Sequence, residues 1–158
     1  MAEDQERKDN AGVVALPPLI FALPLLVGLV VNRLAPVALL PAALARALGW
    51  PLLGAGVALI AWFARTLTRA GTPIDVNEPV TRLVTHGPFK RSRNPAYLSM
   101  TLIYSGVTLL ANALWAALLL PMVLVVMRRG VIDREERYLE RLFGDEYRGY
   151  RSRVRRWL

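Results

Sequence analysis

Three long stretches of the chain contain no charged residue, and polar, arginine-rich segments separate them. The uncharged stretches run from Ala11 to Asn32, from Ala47 to Ala64 and from Asn94 to Met127. Each reaches the roughly 18 to 20 residues that a helix needs to cross the apolar core of a bilayer. The pattern therefore predicts an integral membrane protein.

The third uncharged stretch is too long for one membrane-spanning helix. Its 34 residues would extend about 50 Å as a helix, against an apolar bilayer core of about 30 Å. We expect a hairpin with its turn at Leu110-Ala111-Asn112, since Asn112 is the strongly polar residue near the centre. The expected fold is all-α, a membrane bundle of about four transmembrane helices, the third and fourth a helical hairpin, followed by cytoplasmic C-terminal helices.

The chain is expected to form a single membrane domain over residues 1–158. Residues 1–10 are charged and mixed in sign, which indicates a disordered tail. Residues 11–67 hold the first two spans, the first read as a retained helix rather than a cleaved signal peptide. Between these spans, residues 34–45 are too few to cross the bilayer and predict a loop with a short interfacial helix. Residues 71–158 form the remaining core.

The second span is expected to begin at Gly49-Trp50-Pro51 and to end near Leu67. Gly54 and Gly56 lie inside it. Small residues let membrane helices approach each other closely, so we expect a helix contact at both glycines. A nucleotide-binding glycine loop is not indicated, because no strand-to-helix turn fits here.

The amino-acid composition excludes several kinds of catalytic and metal site. The chain has no cysteine and one histidine, which excludes thiolate nucleophiles and multi-histidine metal sites, so no metal is expected. The net charge is +8, and 18 of the 20 basic residues are arginine. Beside membrane spans, this excess indicates contact with membrane lipids rather than nucleic acid.

The arginines also predict the topology. They concentrate in residues 65–93 and 128–158, and positively charged segments remain on the cytoplasmic side. Four spans with both termini in the cytoplasm satisfy this rule, and residues 33–46 then face outward. We expect a location in a bacterial inner membrane.

Arg93, Asn94 and Pro95 stand where the third span begins. Pro95 suits the first turn of a helix, and Asn94 is a natural N-cap whose side chain would bond the first free N–H groups. The same geometry also has a functional interpretation. The positive end of a helix beside Arg93 would suit a carboxylate or phosphate.

Glu135 and Glu136 form an adjacent acidic pair on a charged C-terminal helix. Adjacent carboxylates usually belong to a solvated face, supported by pairs four residues apart. The alternative is that one carboxylate turns inward, to bind hydroxyl groups or an ammonium, or to pair with Arg93.

Aromatic residues recur along the C-terminal segment. We expect them to anchor a helix on the membrane interface, with stacking on a flat ring as the alternative role: Tyr138, Phe143, Tyr147, Tyr150 and Trp157. His86 lies in a loop, and a solvated histidine is favoured there over a catalytic base.

Two motifs together resemble a known family. The first consists of Gly87-Pro88-Phe89, Lys90-Arg91, Arg93-Asn94-Pro95 and Tyr97-Leu98. The second follows the hairpin and consists of Glu135-Glu136, Leu139, Phe143-Gly144, Tyr147 and Tyr150. In this order they resemble the isoprenylcysteine carboxyl methyltransferase family, a membrane-embedded group that includes phospholipid N-methyltransferases. The resemblance covers roughly residues 71–158, about half the chain.

The resemblance implies methyl transfer from S-adenosylmethionine to a lipid-like or prenylated acceptor at the cytoplasmic face. Catalytic roles would fall to Arg93, Asn94 and Glu136. The residues that would line the cofactor pocket are Gly87, Phe89, Arg93, Asn94, Pro95, Tyr97, Glu135 and Glu136. The family pattern has histidine where this chain has Asn94, and asparagine cannot accept a proton at neutral pH. Carboxylate O-methylation is therefore favoured over amine N-methylation, because an ionised carboxylate needs no base.

Two alternatives remain. The first is a membrane reductase of related architecture that uses NADPH. The second is a non-enzymatic small transporter or scaffold, which would predict charged residues within the spans. The uncharged spans and the acidic pair favour the methyltransferase.

Overall fold

The structure is a computed structural model that describes residues 15–73 and 82–158. The predicted tail, residues 1–10, lies outside these ranges. The described residues form helices and connecting turns without a strand. The five α-helices are α1 (Pro17–Leu34), α2 (Ala42–Ala70), α3 (Pro95–Leu110), α4 (Leu114–Met127) and α5 (Asp133–Arg153). A 3-10 turn, Gly87–Lys90, precedes α3, and a π-helical segment, Arg128–Ile132, joins α4 to α5.

The apolar helices have the length and the surface of membrane spans. Helices α1 and α2, and the continuous helical segment that begins with α4, are long and apolar enough to cross a membrane, and α3 is a shorter apolar helix. Large apolar side chains stay exposed on their outer faces, among them Leu23, Leu26 and Leu118. Such exposure suits contact with lipid. The predicted all-α membrane bundle is confirmed.

The predicted hairpin is also confirmed. Helices α3 and α4 are separated by a three-residue turn in which Asn112 adopts a positive φ of 49°. The Asn112 Oδ1 accepts the N–H groups of Leu39 and Leu40 at 2.9 and 3.0 Å, and its Nδ2 donates to Leu40 O at 2.8 Å. One side chain thus ties the hairpin turn to the α1–α2 loop.

The start of α2 differs from the prediction. Instead of a separate interfacial helix and a second span from Gly49, one helix of 29 residues begins at Ala42 and continues through Pro51. Residues 42–50 are mostly Ala and Leu, which favour a helix, and packing on α3 holds them in it. A single proline is tolerated inside a membrane helix when neighbouring groups compensate. The helix ends where Gly71 takes a left-handed conformation, with φ 66°.

The first two helices pack on different arms of the hairpin. Helix α2 lies along α3, and α1 lies along α4. At Gly106 of α3 an added Cβ would lie 2.6 Å from the backbone nitrogen of Leu53, and at Gly56 it would lie 2.9 Å from Ser99 O. The expected close approach is confirmed at Gly56. The prediction of a close approach is wrong at Gly54, where an added Cβ would meet open space.

Helix α5 bends back on itself. Gly144 breaks the helical geometry with φ 52° and ψ −121°. As a result Arg151 Nη1 reaches Glu140 Oε2 at 3.0 Å, although the two residues are 11 positions apart. In a straight helix, two residues 11 positions apart are separated by about 16 Å along the helix axis. The bend therefore lets both halves of α5 face the same space.

Candidate functional site

A cavity of about 680 Å³ lies where α3 begins, between the ends of α1 and α2 and both halves of α5. Seven of the eight predicted cofactor residues line it: Phe89, Arg93, Asn94, Pro95, Tyr97, Glu135 and Glu136. Gly87 is not in the lining. It has a φ of 63°, and an added Cβ would lie 2.7 Å from Thr66 Oγ1, so it holds the turn against α2 instead.

Glu136 turns inward and binds two arginines. Its Oε1 accepts Arg93 Nη2 at 3.0 Å and Arg156 Nε at 3.1 Å, and its Oε2 accepts Arg156 Nη2 at 2.7 Å. Arg156 Nη1 also pairs with Asp133 at 2.9 Å. The Glu136 and Arg93 side chains are only 8% and 11% exposed. Both Glu136 oxygens are therefore occupied by guanidinium groups.

Arg93 is held in place on several sides. Its Nη1 donates to the carbonyls of Arg151 and Val154 at 3.0 and 3.3 Å, and its backbone N–H donates to Arg155 O at 3.0 Å. Within residues 15–73 and 82–158, the buried Nε–H of Arg93 finds no hydrogen-bond partner. A buried guanidinium N–H without an acceptor is costly, so this atom suits an acceptor supplied by a ligand.

Asn94 occupies the N-cap position of α3, but its side chain makes no capping bond. That part of the prediction is wrong. The Asn94 Nδ2 instead donates to Arg156 O at 3.1 Å, and its backbone N–H donates to Ser92 Oγ at 3.1 Å. The amide is therefore used to fasten the C-terminal segment to the start of α3.

Glu135 lines the cavity and accepts a hydrogen bond from Tyr97 Oη at 2.7 Å. Burial raises the pKa of this carboxyl from 4.5 to about 7, the Tyr97 hydrogen bond opposes the shift, and the neighbouring Glu136 charge adds to it. Near neutral pH, the protonated and ionised forms of Glu135 therefore have similar populations. Both predicted glutamates face the cavity side of α5, and their partners differ.

The aromatic residues of α5 are not interfacial anchors as a group. Tyr138, Tyr147 and Tyr150 are buried and line the cavity. Burial raises the pKa of the Tyr150 hydroxyl to about 12, and this group donates to Phe89 O at 2.7 Å. The prediction failed because the membrane surface was assumed to cover an exposed helix, whereas the bend at Gly144 buries it. The three-residue spacing of Tyr147 and Tyr150, which puts both on one face, was the available signal.

The opposite wall of the cavity is apolar and comes from elements that sequence reasoning had not connected with the site. It is supplied by the N-cap and first turn of α1, the C-terminal half of α2 and one residue of α3: Leu16, Pro17, Leu19, Ile60, Phe63, Leu67 and Met100. No local signal marks these residues, since they are ordinary members of apolar helices. His86 is exposed and does not line the cavity, in agreement with a solvated histidine.

A family model described as phospholipid methyltransferase matches residues 44–146, which is more than half of the chain. The chain belongs to the phospholipid methyltransferase family. The match covers α2 from residue 44 onward, the first motif, the hairpin, and the second motif as far as Gly144, so it includes the part of α2 that contributes to the apolar wall. Membership in this family implies a membrane methyltransferase that acts on lipid-like substrates.

One relative is similar over a limited region. An uncharacterized protein of Haemophilus influenzae is 48% identical over 64 residues, which are 39% of this chain and 98% of that protein. No solved structure matches the chain.

The raised pKa of Glu135 predicts a pH-dependent stability. An unfolded carboxyl titrates near 4.5 and the folded one near 7, so the folded state binds the proton more tightly. The stability of the parent protein should therefore fall as the pH rises from 5 to 8. The upper limit of this loss is about 3 kcal/mol. The actual loss should be smaller, because Glu135 is partly exposed to the cavity. Glu135→Gln should flatten this slope when thermal unfolding in detergent is followed by circular dichroism, and an unchanged slope would contradict the assignment.

Proposed function

We propose that the protein is an S-adenosylmethionine-dependent methyltransferase that acts on a lipid-like acceptor at the cytoplasmic face of the membrane. The cavity at the start of α3 serves as the common site for cofactor and acceptor. The observation that carries this proposal is the division of the cavity into two ends. The polar end contains Arg93, Glu135 and tyrosines, and the apolar end is formed by α1 and α2.

The residues of the polar end fit the cofactor. Arg93 offers an Nε–H that has no partner in the described part of the chain and that suits the cofactor carboxylate. Glu135 suits its ammonium group or ribose hydroxyls, and buried tyrosine rings suit a positive charge. The volume of about 680 Å³ lies within the range of about 300–1,000 Å³ typical of small-molecule sites. When bound, S-adenosylmethionine supplies a methyl group on a sulfonium.

Methyl transfer asks the protein mainly for positioning and for exclusion of water. Arg93 and Glu135 orient the polar partner, while Phe63 and Met100 in the apolar wall keep water away from it. Glu136 acts as a positioning residue, because both of its oxygens already hold Arg93 and Arg156. Asn94 also has a positioning role, through its bond to the C-terminal segment.

The acceptor can be a carboxylate or an amine. Carboxylate O-methylation remains the first candidate, because an ionised carboxylate needs no base and Asn94 cannot accept a proton. Amine N-methylation is the second candidate, and Glu135 is the observation that favours it. With a pKa of about 7 in the same cavity, Glu135 could take a proton from an ammonium group.

Calorimetry on the purified protein in detergent tests the proposal, with S-adenosylmethionine and NADPH as parallel titrants. We expect saturable binding of S-adenosylmethionine, weakened by about tenfold or more in Arg93→Gln, since a charge-assisted bond is worth about 1.5–3 kcal/mol. Arg93→Lys retains the charge without the guanidinium Nε–H. Its affinity for S-adenosylmethionine should lie between those of the parent and of Arg93→Gln.

Arg91→Gln provides the matched control, because Arg91 is exposed, lies two positions away and does not line the cavity. Its affinity should stay within about twofold of the parent. Binding of NADPH in place of S-adenosylmethionine would move the protein to the reductase alternative. Binding of neither by folded protein would favour a transporter or scaffold.

A further inference from the structure

A second cleft, of about 560 Å³, lies on the other side of the Arg93–Glu136 pair from the cavity. In the part of the chain that the structure describes, five arginines line this cleft: Arg93, Arg128, Arg137, Arg151 and Arg156. Three acidic residues and Trp157 complete the lining. Counted over the residues that the structure describes, the lining therefore carries a net charge of +2.

The acidic residues of the cleft are already neutralised. Asp133 and Glu136 pair with Arg156 at 2.9 and 2.7 Å, and Glu140 pairs with Arg151 at 3.0 Å. Among the residues that the structure describes, neither Arg128 nor Arg137 forms an ion pair. The excess positive charge of the cleft thus resides on these two exposed side chains, which are available to an anion.

The position of the cleft selects the kind of anion. Arg128 follows directly on Met127, the last residue of the apolar helix α4, so the cleft lies at the level where the chain leaves the bilayer core. Trp157 packs partly buried beside it, and tryptophan is enriched at this depth. The π-helical segment Arg128–Ile132 widens the backbone at the same place, and such segments often occur at functional sites.

We propose that this cleft binds a phosphate group, and that in the membrane the phosphate belongs to an anionic lipid headgroup. Guanidinium groups bind phosphate oxygens in bidentate geometry, and Arg128 and Arg137 supply two of them without breaking an existing pair. Attraction of basic residues to anionic lipid is worth about 1 kcal/mol for each side chain near the surface. Trp157 would lie beside the glycerol region of the lipid.

Calorimetry in an uncharged detergent tests this proposal without S-adenosylmethionine, so its outcome is independent of the proposed function. The titrants are the short-chain lipid dihexanoylphosphatidylglycerol and inorganic phosphate. We expect saturable binding of the lipid to the parent and a weakening of about tenfold or more in Arg128→Gln/Arg137→Gln. Both side chains are exposed, so this variant should fold.

Arg129→Gln/Arg141→Gln is the matched control. It removes the same charge from exposed positions in the same region that do not line the cleft. Its affinity should stay within about twofold of the parent. Equal losses in the two double variants, or no binding of either titrant, would overturn the proposal. If inorganic phosphate bound as tightly as the lipid, the phosphate site would stand and the headgroup assignment would be overturned.

Discussion

A Glu136→Gln variant is expected to lose about 3–5 kcal/mol of unfolding free energy. The carboxylate holds the guanidinium groups of Arg93 and Arg156 together, with the Arg93 side chain 11% and the Glu136 side chain 8% exposed. Removing one partner of a buried ion pair leaves an uncompensated charge away from water, which is why the penalty is large. Reversible unfolding in mixed micelles, followed by circular dichroism, measures the loss.

Glu140→Gln gives the comparison. Glu140 lies on the same helix and also binds two arginines, Arg148 and Arg151, but its side chain is 33% exposed and both arginine side chains are at least 50% exposed. Exposed pairs contribute about 0–1 kcal/mol, so this variant should lose no more than that. Combining Glu136→Gln with Arg93→Gln should cost less than the two single losses added together. Similar losses for Glu136→Gln and Glu140→Gln would contradict the structural role of the buried pair.

Gly106→Ala is expected to cost about 3 kcal/mol, at the upper end of the range for overpacking. An added Cβ would lie 2.6 Å from Leu53 N and 2.9 Å from Leu53 Cα. These are backbone atoms of α2 and cannot rotate aside, so α2 and α3 would have to separate along their contact. Because α2 also carries Ile60 and Phe63 into the cavity, the proposed binding of S-adenosylmethionine should weaken together with the stability.

Gly54→Ala is the matched control for this prediction. Gly54 is also a helical glycine of the α2–α3 pair, but a Cβ there would meet open space. The substitution should change stability by no more than about 1 kcal/mol, in the stabilising direction, because alanine favours a helix over glycine. Thermal unfolding of both variants in one detergent makes the comparison. An unchanged unfolding midpoint in Gly106→Ala would mean that the helices are less closely packed than described.

Much of the fold follows from the sequence. Charge-free runs of the right length define spans, and the 34-residue run beyond Arg93 could fit only as a hairpin. The start of α2 was missed because Pro51 looked like a helix boundary. Packing on α3 overrides that local signal, and neither the partner helix nor its position is visible in a window of sequence.

The site was predicted from its motifs and only in part from its geometry. Arg93, Tyr97 and Glu135 lie together as expected. The ion pair between Glu136 and Arg156 was not predicted, because the two residues are 20 positions apart and come together only through the bend at Gly144. A glycine in a charged helix gives no sign of how far the chain turns.

The Arg93–Glu136 pair forms a wall shared by the cavity and the arginine cleft. A ligand that draws either side chain toward one side alters the shape and the charge met by a ligand on the other. Binding free energies linked in this way are reciprocal, so each ligand would change the affinity for the other by the same factor. The composition of the surrounding membrane would then set the cofactor concentration at which the protein is half saturated.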